Sequence, residues 1–160
     1  LIQFRDFIAP SAVIDELEAT TKAEALDEMV TVLAETGQVR PEARKGVLSA
    51  LRAREELGST GIGQGVAIPH AKHPSVTRIV GLFARSREGV RFDALDGEPV
   101  HLFFLLLSNQ DAASEHLESL AYISKHLRDD NFCRFLRRAR DKHEIVELLA
   151  EADENALVTD

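Results

Sequence analysis

An α/β domain, with a mixed parallel and antiparallel sheet flanked by helices on both faces, is the fold this sequence predicts. Three observations carry the expectation. Two apolar runs, from Ile79 to Ala84 and from Leu102 to Leu107, are of strand length and far short of a membrane span. Apolar residues at helical spacing lie both before and after those runs. The chain has 160 residues, long enough for one domain to bury a core without covalent staples.

The elements follow in order. Ser11 to Leu17 reads as a short strand or opening segment. Thr21 with Glu24 forms a capping-box pattern, and Leu26, Met29, Val30 and Leu33 continue it as a helix up to Gly37. Pro41 suits the first turn of a second helix, with Val47, Leu48 and Leu51 on its apolar stripe and an end near Gly58. A strand at Val66-Ala67-Ile68 stops at Pro69, which has no N–H for a sheet ladder. Strands at Ile79 to Arg85 and Val100 to Leu107 enclose a turn-rich stretch with Asp96-Gly97 and Pro99. From Asp111 the pattern is helical. His116, Leu120, Ile123 and Leu127 share one face, Phe132, Phe135 and Leu136 mark a second segment, and Asp141 with Glu144 opens a third. Residues after Asp153 read as a loose tail. The domain is expected to span residues 4–150, with 151–160 as that tail.

Composition narrows the function classes. The formal net charge of −8 argues against non-specific nucleic-acid or acidic-lipid binding, although it permits a local basic patch. Cys133 is the one cysteine, so no internal disulfide forms and a reducing cytoplasmic setting is expected. No signal peptide and no membrane insertion are read from the sequence.

The chemistry concentrates at Gly58-Ser59-Thr60-Gly61-Ile62-Gly63-Gln64-Gly65-Val66-Ala67-Ile68-Pro69-His70. Glycines leave backbone N–H groups uncovered, so the turn at Ser59, Thr60, Gly61 and Gly63 is a candidate phosphate-binding wall. His70 is delivered at a strand end, where a neutral imidazole can act as phosphoryl or acyl acceptor. The competing reading is a structural histidine. Arg54, in the helix that feeds the turn, offers a forked, permanently charged donor, or else pairs with a nearby carboxylate. His116 leans from a half-apolar helical face, as a donor to a developing anion or as a core histidine. His70 and His73 have a His-x-x-His spacing, but no cysteine pair or third ligand stands at a metal-like spacing, so no metal is expected. The glycine run precedes a strand, unlike a dinucleotide fingerprint, and no Walker-type lysine motif is present; no cofactor is expected.

Taken together, Arg54-Glu55-x-x-Gly58-Ser59-Thr60-Gly61-Ile62-Gly63-x-Gly65-x-Ala67-Ile68-Pro69-His70 resembles the signature of phosphotransferase-system IIA domains of the fructose/mannitol type. Phe92-Asp93-Ala94-x-Asp96-Gly97-x-Pro99-Val100 and His116-Leu117-x-x-Leu120-Ala121-x-Ile123-Ser124 match it as well, so the resemblance spans about Phe4 to Ala150. The Gly-Ser-Thr-Gly-Ile-Gly turn, without attached IIB or IIC segments, is most similar to the nitrogen-regulatory branch. The resemblance implies that His70 carries a phosphoryl group, that His116 is the second active-site histidine, and that Arg54 stands beside them. It implies a donor such as the histidine phosphocarrier HPr and, downstream, a IIB domain or a regulated target. The acidic balance suits a basic-rimmed donor, with Ile62 exposed at the contact and Val66 and Leu117 buried. Three readings follow: a nitrogen-regulatory phosphocarrier, a sugar-uptake IIA component, and a binding module that is not phosphorylated. The chain departs from the family pattern at Ser108-Asn109-Gln110-Asp111, where relatives often have small residues and proline, so the rim of the site is expected to differ there.

Overall fold

The structure is a computed structural model and describes residues 1–159. Its elements are α1 (Phe4–Phe7), β1 (Ile8–Ile14), α2 (Lys22–Glu35), a 3-10 turn (Pro41–Ala43), α3 (Arg44–Glu56), β2 (Gly61–Gly63), β3 (Val66–Ala67), β4 (His70–Lys72), β5 (Val80–Val90), β6 (Val100–Ser108), α4 (Ala113–Leu127), α5 (Asp130–Arg138) and α6 (Lys142–Thr159). The six strands form one sheet in the order β1-β5-β6-β3-β2, and β4 also pairs with β6. Pairing is parallel for β1 with β5 and for β3 and β4 with β6, antiparallel for β5 with β6 and β2 with β3. The mixed sheet expected from the sequence is present.

The central strand explains why helices cover both faces. Leu102 through Leu107 are completely buried, and the period-two geometry of a strand divides them between two cores. Phe103, Leu105 and Leu107 pack with Met29, Leu33, Val47 and Leu51 of α2 and α3. Leu102, Phe104 and Leu106 pack with Phe4, Ile123, Leu136 and Ile145 from α1, α4, α5 and α6.

Local signals hold where side chains close a turn. Thr21 Oγ1 accepts the Glu24 amide at 3.4 Å and donates to the Glu24 carboxylate at 2.8 Å. Asp141 Oδ1 accepts the Glu144 amide at 2.9 Å. These contacts satisfy helix amides that have no partner within their own helix.

Four expectations are corrected. The first strand runs Ile8–Ile14 rather than from Ser11 to Leu17, and it follows a one-turn helix that no periodicity announces. The glycine turn is itself part of the sheet as β2. β5 continues to Val90, past a break in register after Arg85. The loose tail after Asp153 is helix to Thr159. Its anchors are Ala152 and Ala156, small residues with a weak apolar signal, and Asp153, all buried. Asp153 accepts the amides of Phe4 at 2.9 Å and Arg5 at 3.0 Å, and the Tyr122 hydroxyl at 2.5 Å. The first helical turn of the chain is thereby capped by the last helix.

Candidate functional site

Pro69 interrupts what would otherwise be one long strand beside β6. β3 ends at Ala67, the Pro69 carbonyl accepts the Leu106 amide at 2.9 Å, and pairing resumes at His70 opposite Leu106. His70 therefore opens β4 instead of ending a strand or lying in a loop. Its half-buried ring turns back on the break: Nδ1 lies 2.7 Å from the Ile68 carbonyl oxygen. A carbonyl only accepts, so Nδ1 carries the proton and Nε2 holds the lone pair. Burial lowers the His70 pKa below 6.5, the Ile68 hydrogen bond opposes that shift, Arg54 adds to it and Glu55 opposes it.

His116 comes from the first turn of α4 and is buried. Its Nδ1 is 2.5 Å from Ser108 Oγ, and its ring centre lies 5.6 Å from that of His70. Burial first, then the nearby His70 and Lys72, push its pKa down to about 4. Two neutral imidazoles thus face each other at neutral pH. Ser108 opens the stretch Ser108-Asn109-Gln110-Asp111, where the rim was expected to differ, and it touches His116 directly. Its one sequence signal was a polar residue closing an apolar strand. The neighbouring Asn109 donates from Nδ2 to the Val76 carbonyl at 2.8 Å and shapes that rim.

Arg54 lies in the last turn of α3, and its Nη1 donates to the Gly58 carbonyl at 2.8 Å. The guanidinium thus caps its own helix end while its charge reaches His70. Glu55, beside it, expected as a motif residue or a pairing partner for Arg54, is 6% exposed. It accepts the Thr60 amide at 3.2 Å and the Thr60 hydroxyl, and Lys22 Nζ stands 3.2 Å from its Oε1. This buried carboxylate holds the glycine turn against α3.

The turn itself is tightly tied. Ser59 Oγ accepts the Gly61 amide at 3.0 Å and donates to the Phe92 carbonyl at 3.3 Å. A Cβ on Gly61 would stand 2.8 Å from Ala94 Cβ, which is why glycine is required there. Gly63 has φ +102° and Gln64 φ +58°, and the Gln64 amide donates to Asp96 Oδ2 at 3.0 Å. The amides of Thr60 and Gly61, expected to face an anion, are thus engaged by Glu55 and Ser59.

His73 sits 2.6 Å from Ser75 Oγ through its own Nδ1. Among the described residues no group of three or more His, Cys, Asp or Glu is placed to hold a metal ion. Val66 is buried as expected, but Leu117, expected inside, is 66% exposed, and Ile62 is 52% exposed. Both present apolar surface to solvent, Leu117 next to His116 in α4 and Ile62 on β2.

A family model described as "Phosphoenolpyruvate-dependent sugar phosphotransferase system, EIIA 2" matches residues 6–152. The chain belongs to that family. Among EIIA 2 relatives, it is 42% identical over 146 residues to a nitrogen regulatory protein of Bradyrhizobium diazoefficiens, covering 91% of this chain and 93% of the relative. It is 37% identical over 137 residues to the fructose-specific EIIABC component of Bacillus subtilis, covering 86% of this chain and 21% of that longer protein. The crystal structure of nitrogen regulatory protein IIA-Ntr from Neisseria meningitidis superposes with a TM-score of 0.81 at 36% identity, covering 90% of this chain and 97% of that one. No helix among the described residues is long and apolar enough to cross a membrane.

Proposed function

We propose that this EIIA 2 protein accepts a phosphoryl group on His70 Nε2 from a phosphohistidine donor of the HPr type. The observation that carries the reading is the His70 Nδ1–Ile68 carbonyl hydrogen bond, which fixes the tautomer with a lone pair on Nε2. In the step, the donor's P–N bond breaks and its electron pair returns to the donor imidazole. The Nε2–P bond forms in line, with charge spread over the three equatorial oxygens. The protein mainly positions and neutralises.

Arg54 and His116 would meet those oxygens, Ser59 and Gly63 would wall them, and Thr60 and Gly61 would hold the turn through Glu55 and Ser59. Neutral His116, with Ser108 Oγ engaged at its Nδ1, has Nε2–H left to donate to an oxygen. The site needs no nucleotide, because the donor already holds an activated phosphoryl group.

The likeness to nitrogen regulatory proteins over nearly the whole chain supports a regulatory role, in which the state of His70 sets which target is bound. The likeness to a fructose-specific component supports a second reading, onward transfer to a IIB domain in sugar uptake. In either reading the protein works in the cytoplasm, where the donor is found.

Intact-mass analysis after incubation with HPr phosphorylated from phosphoenolpyruvate tests the proposal. The expected result is one acid-labile phosphate that maps to His70 and passes, or fails to pass, to an added IIB domain. No adduct, with an authentic family member as positive control, overturns the acceptor role and leaves a binding module.

A further inference from the structure

The chain as a whole is acidic, yet one face is not. Between residues 125 and 140 six Lys and Arg stand against two carboxylates, in a chain of formal net charge −8. The structure gathers this segment around a groove of about 1140 Å³ between the β2–β3 hairpin and the helices α4 and α5. Ile62, Val66 and Leu127 give it an apolar lining, and Arg128, Arg134, Arg137 and Arg138 bring four guanidiniums to it. Arg137 Nη1 lies 3.4 Å from where a Cβ on Gly65 would stand, so the basic wall closes over the hairpin that leads to His70.

None of these four arginines is ion-paired among the described residues. Asp129, the nearest acidic residue before α5, is engaged as its N-cap, accepting the amides of Asn131 at 3.0 Å and Phe132 at 3.4 Å. Asp130 is the one carboxylate in the lining. Arg134 donates to Asn131 Oδ1 and lies 5.6 Å from the centre of the Phe135 ring, neither of which neutralises its charge. Clustered like charges without carboxylate partners repel, and an anionic surface relieves them.

Chemistry separates the possible anions. A nucleotide would need a stacking surface, and no aromatic side chain lines the groove. It would also seek the amides at a helix N-terminus, and those of α5 already face Asp129. Arg134, Arg137 and Arg138 instead run along one helix at i, i+3 and i+4, beside apolar lining. That layout matches carboxylates spaced along a peptide whose other face is aliphatic.

We infer that this groove docks an acidic amphipathic segment of a partner protein, with carboxylates on the arginines and aliphatic side chains on Ile62, Val66 and Leu127. This groove shares the β2–β3 hairpin with the proposed site, but His70, His116 and Arg54 are not in its lining. It is, on this side of the molecule, the local basic patch that the acidic net charge permitted.

The test is an amide chemical-shift titration of the whole protein with a synthetic peptide of about 14 residues, some 20 Å as a helix, carrying Leu on one face and Glu on the other. Saturable shifts confined to the hairpin, the end of α4 and α5 are expected. They should weaken about tenfold in R134E/R137E, and less in R134Q/R137Q, with an unchanged thermal midpoint. The His70→Ala variant should bind as well as wild type, so that loss of phosphorylation and loss of docking are read separately. No saturable binding, equal binding of a Lys-for-Glu peptide, or tighter binding of ATP at the same residues overturns the inference.

Discussion

His70 and His116 stand with ring centres 5.6 Å apart, and a proton on the first raises the cost of a proton on the second. Burial adds to that cost, so His116 stays neutral down to a pH of about 4. Unfolded, it would take its proton near 6.5. Between these values the unfolded chain binds more protons than the folded one. Stability is therefore full above about 6.5, falls as the pH drops, and is completely lost from this source below about 4. A fully dry ring would make that loss ~3 kcal/mol; water reaching the cleft reduces it to about 1–2 kcal/mol. His116→Asn should flatten the slope of unfolding free energy against pH in that window, read from urea melts at fixed pH. An unchanged slope would place the acid sensitivity elsewhere.

His70→Ala should abolish phosphoryl uptake and leave the circular dichroism unchanged, since the ring is only half-buried. His116→Ala should keep the acceptor but slow uptake by ~10²-fold, the scale on which one well-placed donor acts. Ser108→Ala removes the hydroxyl that engages His116 Nδ1, and a smaller slowing of about tenfold is expected. Rapid-quench kinetics with phosphorylated HPr separate the three. Equal rates for wild type and His116→Ala would assign His116 to the core alone.

Arg54 and Glu55 are adjacent in sequence and act in opposite senses. Arg54 lowers the His70 pKa and Glu55 raises it. Arg54→Ala should shift the His70 titration upward, followed by ring-carbon NMR, and slow uptake ~10²-fold. Arg54→Lys should recover the titration better than the rate, because an ammonium lacks the fork that holds Gly58 and a phosphoryl oxygen together. Glu55→Gln should act on stability instead, by about 1–3 kcal/mol, as Lys22 loses its buried partner and the Thr60 hydrogen bonds weaken. A stability change in Arg54→Ala as large as that in Glu55→Gln would contradict this division.

Much of the architecture was legible because its signals are local or periodic. The apolar run ending at Leu107 had only one way to be buried, inside a sheet covered on both faces, and Thr21 and Asp141 announced their helices through side chains three residues away from their partners. His70, His116 and Arg54 were singled out by residue type and by the glycines and proline around them. What the sequence hid were relationships across the chain. Glu55 looks like any helix-surface carboxylate until Thr60 folds back over it and Lys22 arrives from α2. Ser108 meets His116 only after a loop returns α4 to the sheet. Leu117 shares a helix with buried residues, yet its angle on that helix turns it outward. The glycine turn looked like an open anion cradle because sequence shows which amides are uncovered, not which side chains arrive to take them.

The last helix supplies a prediction that a loose tail would not. The Asp153 carboxylate takes three donors, the amides of Phe4 and Arg5 and the Tyr122 hydroxyl. Phe4 in turn stacks on Phe104 at 5.4 Å between ring centres, deep in the core beneath α4. Asp153→Asn keeps one acceptor oxygen but sets an NH2 group against either the Phe4 or the Arg5 N–H, which bond different carboxylate oxygens, and should cost about 1–3 kcal/mol. Truncation after Ala150 also removes the buried Ala152 and Ala156 and uncovers α1, and should cost more than that substitution. Asp153 bonds Phe4, Arg5 and Tyr122 rather than His70, His116 or Arg54, so phosphoryl uptake at low temperature, where the variants remain folded, should match wild type for Asp153→Asn. Urea midpoints unchanged by the truncation would return residues 151–160 to the role of a passive extension.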